Sequence, residues 1–224
     1  MNDYENDSNA WFEYYSRQIV LQQIKASGQN KINKTKILLI GSNALVKMSA
    51  TILNAAGLSR IWIFTENDTH ANFRGPQNLD ALDIHELSKL EVNDFSLIGV
   101  FTNQIEWIRK INRALFMKRC TVFGGWNFQN GIAIYGSSYP KKPFGDPCIE
   151  CFEAWNQKFL ANEEKDISLQ WGMVSMVSTE LLQWILTENS PLLEKIWITT
   201  VSQGMSFYHE IHFHEKCPVG LSLS

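Results

Sequence analysis

The stretch KILLIGSNALVKMSA, residues 36–50, decides the architecture. Its first six residues, KILLIG (36–41), are an apolar run ending in glycine, the pattern of a strand buried on both faces. From Ala44 onward, Leu45, Met48, Ile52 and Ala55 recur at helical spacing, and Gly57 stands where a helix C-terminal glycine belongs. RIWIFT (60–65) then reads as a second strand. Strand, helix and strand make a βαβ unit, whose crossover is right-handed almost without exception. In such a unit the first turn carries a nucleotide when it is spelled Gly-x-Gly-x-x-Gly, because bare backbone N–H groups then meet the pyrophosphate. Here only Gly41 is present; Asn43 and Val46 occupy the second and third glycine places.

The alternation continues outward from this unit. SLIGVFT (96–102), TVFGG (121–125) and IAIYGS (132–137) read as strands, and Ile105–Met117 as an amphipathic helix. Tyr15–Ala26 has apolar residues at roughly helical spacing, and 168–187 reads as a long, mostly buried helix. The segment SSYPKKPFGDPCIEC (137–151) is a loop with three prolines, and KIWITTV (195–201) with SFYHEIHF (206–213) forms a terminal hairpin. The expected fold is an α/β, Rossmann-like, doubly wound mixed sheet with antiparallel strands added at the C-terminal end. Residues 1–9 are expected to be a flexible arm and 10–224 a single domain.

Bulk properties narrow the function. The chain has 224 residues, 45% of them hydrophobic, and a formal net charge of −3. That balance gives no electrostatic reason to expect nucleic-acid binding or a membrane-facing basic surface. No apolar run reaches the length of a membrane span, and MNDYENDSNA lacks the basic and apolar regions of a signal peptide. The four cysteines include a CxxC pair, which in a cytoplasmic chain points to metal or thiol chemistry rather than a disulfide framework. A cytoplasmic location is therefore expected. Eight tryptophans are read as core filling, with some at a partner interface.

The stretch YYSRQIVLQQIKASGQNKINKTKILLIGSNALVKMSATILNAAGLSRIWIF (14–64) resembles the ThiF/MoeB/ubiquitin-activating-enzyme superfamily. Ser-Arg-Gln-Ile, the Gly-Gln ahead of the first strand, and Ala-Ala-Gly-Leu before the second sit at that family's spacing, and the likeness extends over roughly 12–220. Members adenylate the C-terminal carboxylate of a carrier protein or peptide, a reaction that needs the triphosphate held by N–H groups, cations and magnesium. Set against that requirement, the site is degenerate. The ribose-binding aspartate of the family aligns with Thr65, and the magnesium-holding aspartate with Asn103, a poor substitute because magnesium prefers carboxylates. Arg74 and Lys89 are the nearest matches to the remaining phosphate-binding positions, while Glu66 and Asp68 are displaced in register. The loop position that bears a thiol in some members aligns near Ser168. Arg17, by contrast, matches the arginine that reaches across a dimer to the partner's ATP, a device that stabilises phosphoryl-transfer charge in trans.

Cys148 and Cys151, in Asp-Pro-Cys-x-x-Cys, match the first half of the family's zinc knuckle. The second half is represented by Cys217 with Gly220 in the fourth place, but His214 precedes Cys217 as His-x-x-Cys. A structural Cys₃His zinc site of Cys148, Cys151, His214 and Cys217 is one reading, and a remnant of reduced thiols is the other. His209 and His212 are expected at the surface, and Cys120 in the core.

These readings predict a non-catalytic subunit that supports adenylation by a homologous, competent partner, with ATP and magnesium in that partner, zinc in this chain, and a carrier protein or peptide tail as substrate. At 224 residues, an added catalytic-cysteine or ubiquitin-fold domain is not expected, and any later thioester chemistry is expected elsewhere. Two alternatives are a divergent homodimeric adenylyltransferase and a peptide or small-molecule binding module whose old pocket is filled by side chains such as Phe101 and Trp126 or holds some other ligand.

Overall fold

The computed structural model describes residues 15, 24–65, 95–116, 118–128, 131–140, 147–151, 166–200 and 204–212. In chain order the elements are α1 (Lys25–Lys34), β1 (Lys36–Gly41), α2 (Asn43–Ala55), β2 (Arg60–Thr65), β3 (Leu97–Phe101), α3 (Ile105–Leu115), β4 (Thr121–Phe128), β5 (Gly131–Ser138), α4 (Ile167–Thr187), β6 (Lys195–Thr200) and β7 (Met205–Glu210). The strands make one seven-stranded sheet in the order β2-β1-β3-β4-β5-β6-β7. The first four run parallel and the last three join antiparallel. The mixed sheet expected from the sequence is therefore present.

Each face of the sheet carries its own core. On one side α1, α2 and α4 cover the sheet, with Val46, Leu53, Met173 and Leu181 fully buried against Leu39 and Phe101. On the other, Ile108, Ile111 and Leu115 of α3 pack with Leu38, Ile98 and Trp126. Helices on both faces leave β1 and β3 no exposed side, which is why their sequences read as continuous apolar runs. No helix among the described residues is long and apolar enough to cross a membrane.

Two motifs that lie far apart in sequence prove to be one device. Helix α2 ends in a Schellman arrangement, with Gly57 N–H donating to Asn54 O and Leu58 N–H to Leu53 O. Gly57 adopts φ +104°, and the buried Gln29 donates from Nε2 to Ala56 O at 2.9 Å. A Cβ at Gly57 would lie 2.3 Å from that Nε2. The Gly-Gln of α1 and the Ala-Ala-Gly-Leu after α2 thus fit together, the glutamine amide capping a helix end at a place only glycine leaves open.

Two boundaries differ from expectation. Of the helix expected over Tyr15–Ala26, Tyr15 is helical, residues 16–23 lie outside the described residues, and a helix instead spans Lys25–Lys34. Its sequence, KASGQNKINK, carries a glycine and few apolar residues, so periodicity did not reveal it. Strand β4 runs three residues past Gly125, because Trp126, Asn127 and Phe128 pair with Ala133, Ile132 and Gly131 of β5.

Candidate functional site

In an open α/β sheet the binding crevice lies beyond the C-terminal ends of the parallel strands, where the connections switch faces. Here that edge is built from Gly41–Asn43 after β1, Thr65 at the end of β2, Phe101–Gln104 after β3, and Trp126–Phe128 at the end of β4. The parallel register sets Gly41 beside both Thr65 and Phe101. None of these edge residues carries a charge.

Gly41 is held by the fold. It adopts φ +146°, and a Cβ there would lie 1.9 Å from Phe101 O. Ser42 N–H, which in a nucleotide turn would face the phosphates, donates to the same carbonyl at 2.9 Å. Ser42 is the N-cap of α2 but makes no side-chain cap bond. Val46, in the third glycine place, is fully buried in the core shared by helix and strand, so the packing is built around its side chain.

Asn103 Oδ1 accepts from Asn127 N–H at 2.9 Å, continuing the β3–β4 pairing past the end of the ladder. The oxygen that would have to ligate a cation therefore already has a donor, and the remaining Nδ2 is a donor only. Thr102, fully buried, accepts at Oγ1 from Gln104 N–H and shapes the entry into α3. Thr65 Oγ1 is buried with no hydrogen-bond partner among the described residues. Asn127 is 0% exposed, and neither Oδ1 nor Nδ2 has a partner there. Sequence reasoning missed Asn127; the signal was the alternation Trp126-Asn127-Phe128, a polar residue between two apolar ones in a continuing strand.

At the opposite end of β4, the cysteine pair is clamped by a buried polar network. Glu150, buried between the two cysteines in sequence, accepts from Arg113 Nε at 3.2 Å, from the Arg113 terminal nitrogen at 2.8 Å and from Asn112 Nδ2 at 2.9 Å. Tyr139 OH donates to Asn112 Oδ1. The bond to Glu150 raises the Arg113 pKa, and burial does the same for Tyr139. Cys148 and Cys151 are both buried thiols with their sulfurs 3.9 Å apart. Two thiolates on one tetrahedral zinc, each about 2.3 Å away, stand roughly 3.8 Å apart, so this pair fits half of such a site. Among the described residues no group of three or more His, Cys, Asp or Glu is arranged to hold a metal.

Gly41, Asn43, Thr65 and Asn103 are thus brought to one edge, while Arg17, Glu66, Asp68, Arg74, Lys89, His214 and Cys217 lie outside the described residues. Ser168 sits in the first turn of α4, donating its N–H to the N-cap Asp166. Cys120 is a core residue, and burial pushes its thiol up to about 12. His212 is exposed and His209 partly so. The pocket-filling role for Phe101 and Trp126 is corrected: they belong to the cores on opposite faces of the sheet.

No family model matches the sequence, and no curated protein matches it. Solved structures do match. PaaA superposes with a TM-score of 0.66 at 16% identity, over 93% of this chain and 76% of that one. E. coli MccB with MccA gives 0.68 at 15% identity, over 97% and 76%. E. coli MccB with ATP gives 0.68 at 16% identity, over 92% and 74%. The chain shares the mixed α/β fold of MccB and PaaA.

Proposed function

We propose that this chain is a degenerate ThiF/MoeB-like subunit that supports ATP-dependent adenylation of a carrier-protein or peptide C-terminal carboxylate by a competent homologous partner. The observation that carries the reading is the bond from Asn127 N–H to Asn103 Oδ1. At the position where the resemblance places a magnesium carboxylate, the chain has a neutral amide whose oxygen bridges two strands. The bond from Ser42 N–H to Phe101 O supports the same reading, because it turns a phosphate donor inward. Arg17 is the residue that would act on the partner's ATP. The likeness to MccB, whose structures include complexes with ATP and with MccA, supports a nucleotide and an acyl partner as the relevant ligands.

Zinc belongs to this proposal: Cys148 and Cys151 with His214 and Cys217 would hold it, tying the proline-rich loop to the C-terminal strand. It would supply cross-linking rather than chemistry. Elemental analysis giving less than one zinc per several chains would overturn that part.

The test of function is co-purification from the native host, followed by ATP–pyrophosphate exchange. The expected result is a second family member with intact glycines and metal aspartate, exchange by the complex only, and slower exchange with Arg17→Ala at unchanged assembly. Exchange by the isolated chain would instead establish a homodimeric adenylyltransferase.

A further inference from the structure

We infer that Asn112 is a positioning residue for the cysteine pair: its side-chain N–H is aimed at Cys148 Sγ and holds that sulfur as the thiolate a zinc ion binds. The inference rests on the reading of Cys148 and Cys151 as half of a zinc site, and adds to it a residue that is not itself a ligand. Asn112 is buried on α3, 36 residues from Cys148 in sequence, and its Nδ2 lies 3.5 Å from Cys148 Sγ. The same nitrogen donates to Glu150 Oε1 at 2.9 Å, and Oδ1 accepts from Tyr139 OH. A carboxamide nitrogen carries two hydrogens, so one serves Glu150 and the other the sulfur.

The orientation of that amide is imposed by its neighbours. Arg113 holds Glu150 through two bonds, so a carboxylate, which only accepts, faces Asn112. Turning the amide over would set Oδ1 against that carboxylate, in a buried place where an unpaired acceptor is costly. Tyr139, just past the end of β5, fixes the other side with its hydroxyl. The cysteine turn is fixed as well: Cys151 N–H donates to Cys148 O at 2.9 Å, and the two sulfurs stand 3.9 Å apart. An N–H directed at sulfur stabilises the charged thiolate over the neutral thiol. Two reduced thiols stored in a core would gain little from this arrangement, since a buried ion pair rarely stabilises more than apolar packing of the same volume. Metal-bound groups, by contrast, are held and tuned by hydrogen bonds from residues behind them, and Asn112 supplies one.

The test uses the full chain loaded with Zn(II) and, in a parallel preparation, with Co(II), whose thiolate charge-transfer absorption reports on the sulfur. Three variants are compared with the parent. Asn112→Leu removes the donor at similar volume, and Tyr139→Phe removes one bond that orients it. Val46→Gly disturbs the core on the opposite face of the sheet and leaves the network intact. Zinc affinity, from competition with a chromophoric chelator, should fall about 10- to 100-fold in Asn112→Leu. The cobalt band should move to longer wavelength in Asn112→Leu, because a sulfur that has lost its N–H gives up electron density more readily. The shift should be smaller in Tyr139→Phe and absent in Val46→Gly. An unmoved band in Asn112→Leu, or in Tyr139→Phe where Asn112→Leu does not fold, would overturn the inference, as would an equal shift in Val46→Gly. Zinc bound equally well by the parent and Asn112→Leu would overturn this inference alone, whereas a parent chain without zinc would remove the zinc reading and this inference with it.

Discussion

Replacing Gly41 with alanine asks whether the β1 turn is held by the fold. The new methyl would stand 1.9 Å from Phe101 O and 2.5 Å from Phe101 C, both backbone atoms that no rotamer can move. Ordinary contact begins near 3.4 Å, so the end of β1 must withdraw from β3 by about 1.5 Å. Holding a non-glycine residue at φ +146° adds roughly 1–3 kcal/mol. Overpacking adds about 1–3 kcal/mol, and losing the Ser42 N–H bond to Phe101 O adds about 1 kcal/mol. The expected destabilisation is roughly 3–7 kcal/mol. For a chain of this size that corresponds to a fall in Tm of about 6 °C or more, followed by circular dichroism and by the urea midpoint. A Tm within about 2 °C of the parent would refute the argument, since the two strands would then not be in backbone contact.

Other perturbations probe the remaining parts. Val46→Gly restores the third glycine of a nucleotide turn, but it empties a core position and places glycine in a helix, so a loss of about 2–4 kcal/mol is expected with no gain in ATP binding; tighter ATP binding by calorimetry would contradict the rebuilt packing. Asn103→Asp keeps an oxygen for Asn127 N–H and should leave the unfolding free energy from urea titration within about 1 kcal/mol of the parent while adding a magnesium ligand; a larger loss would show that the amide itself is required. Arg113→Ala strips two charge-assisted bonds from the buried Glu150 and should cost about 2–3 kcal/mol, a penalty partly relieved by Glu150→Gln in the same chain. Additive effects in that double-mutant cycle would rule out the clamp. Burial holds the Cys120 proton up to about 12, whereas the unfolded chain releases it near 9.0. The unfolded state then binds fewer protons, so stability should fall as pH rises from about 9 toward 12. Tyr135 and Tyr139, also raised by burial, act in the same direction. A urea midpoint that is flat between pH 8 and 10.5 would count against these assignments.

Much of this architecture is written locally. An apolar run closed by Gly41 and a helical period from Leu45 to Ala55 are one-dimensional signals, and the strands, the long α4 and the terminal hairpin followed from the same kind of pattern. The substitutions at Asn43, Thr65 and Asn103 were legible because each is a residue type at a motif position. Their consequence was not. Whether Asn103 faces a cation or a neighbouring strand depends on β4 running on to Phe128, and glycines at 124 and 125 read as a strand end until β5 pairs beyond them.

The sequence alone therefore determined the order of the described elements from β1 onward and the residue types at the ends of β1, β2 and β3, since periodicity and residue type need no partner to be read. Tertiary structure alone decided which polar groups are spent and which are spare. Ser42 N–H is consumed by a carbonyl on β3, Gln29 closes a helix end against Gly57, and Glu150 locks the cysteine turn to α3. Hydrogen-bond satisfaction belongs to pairs of atoms brought together across long stretches of chain, and so the Asn127 carboxamide, without a partner among the described residues, became visible only once β3, β4 and β5 had met.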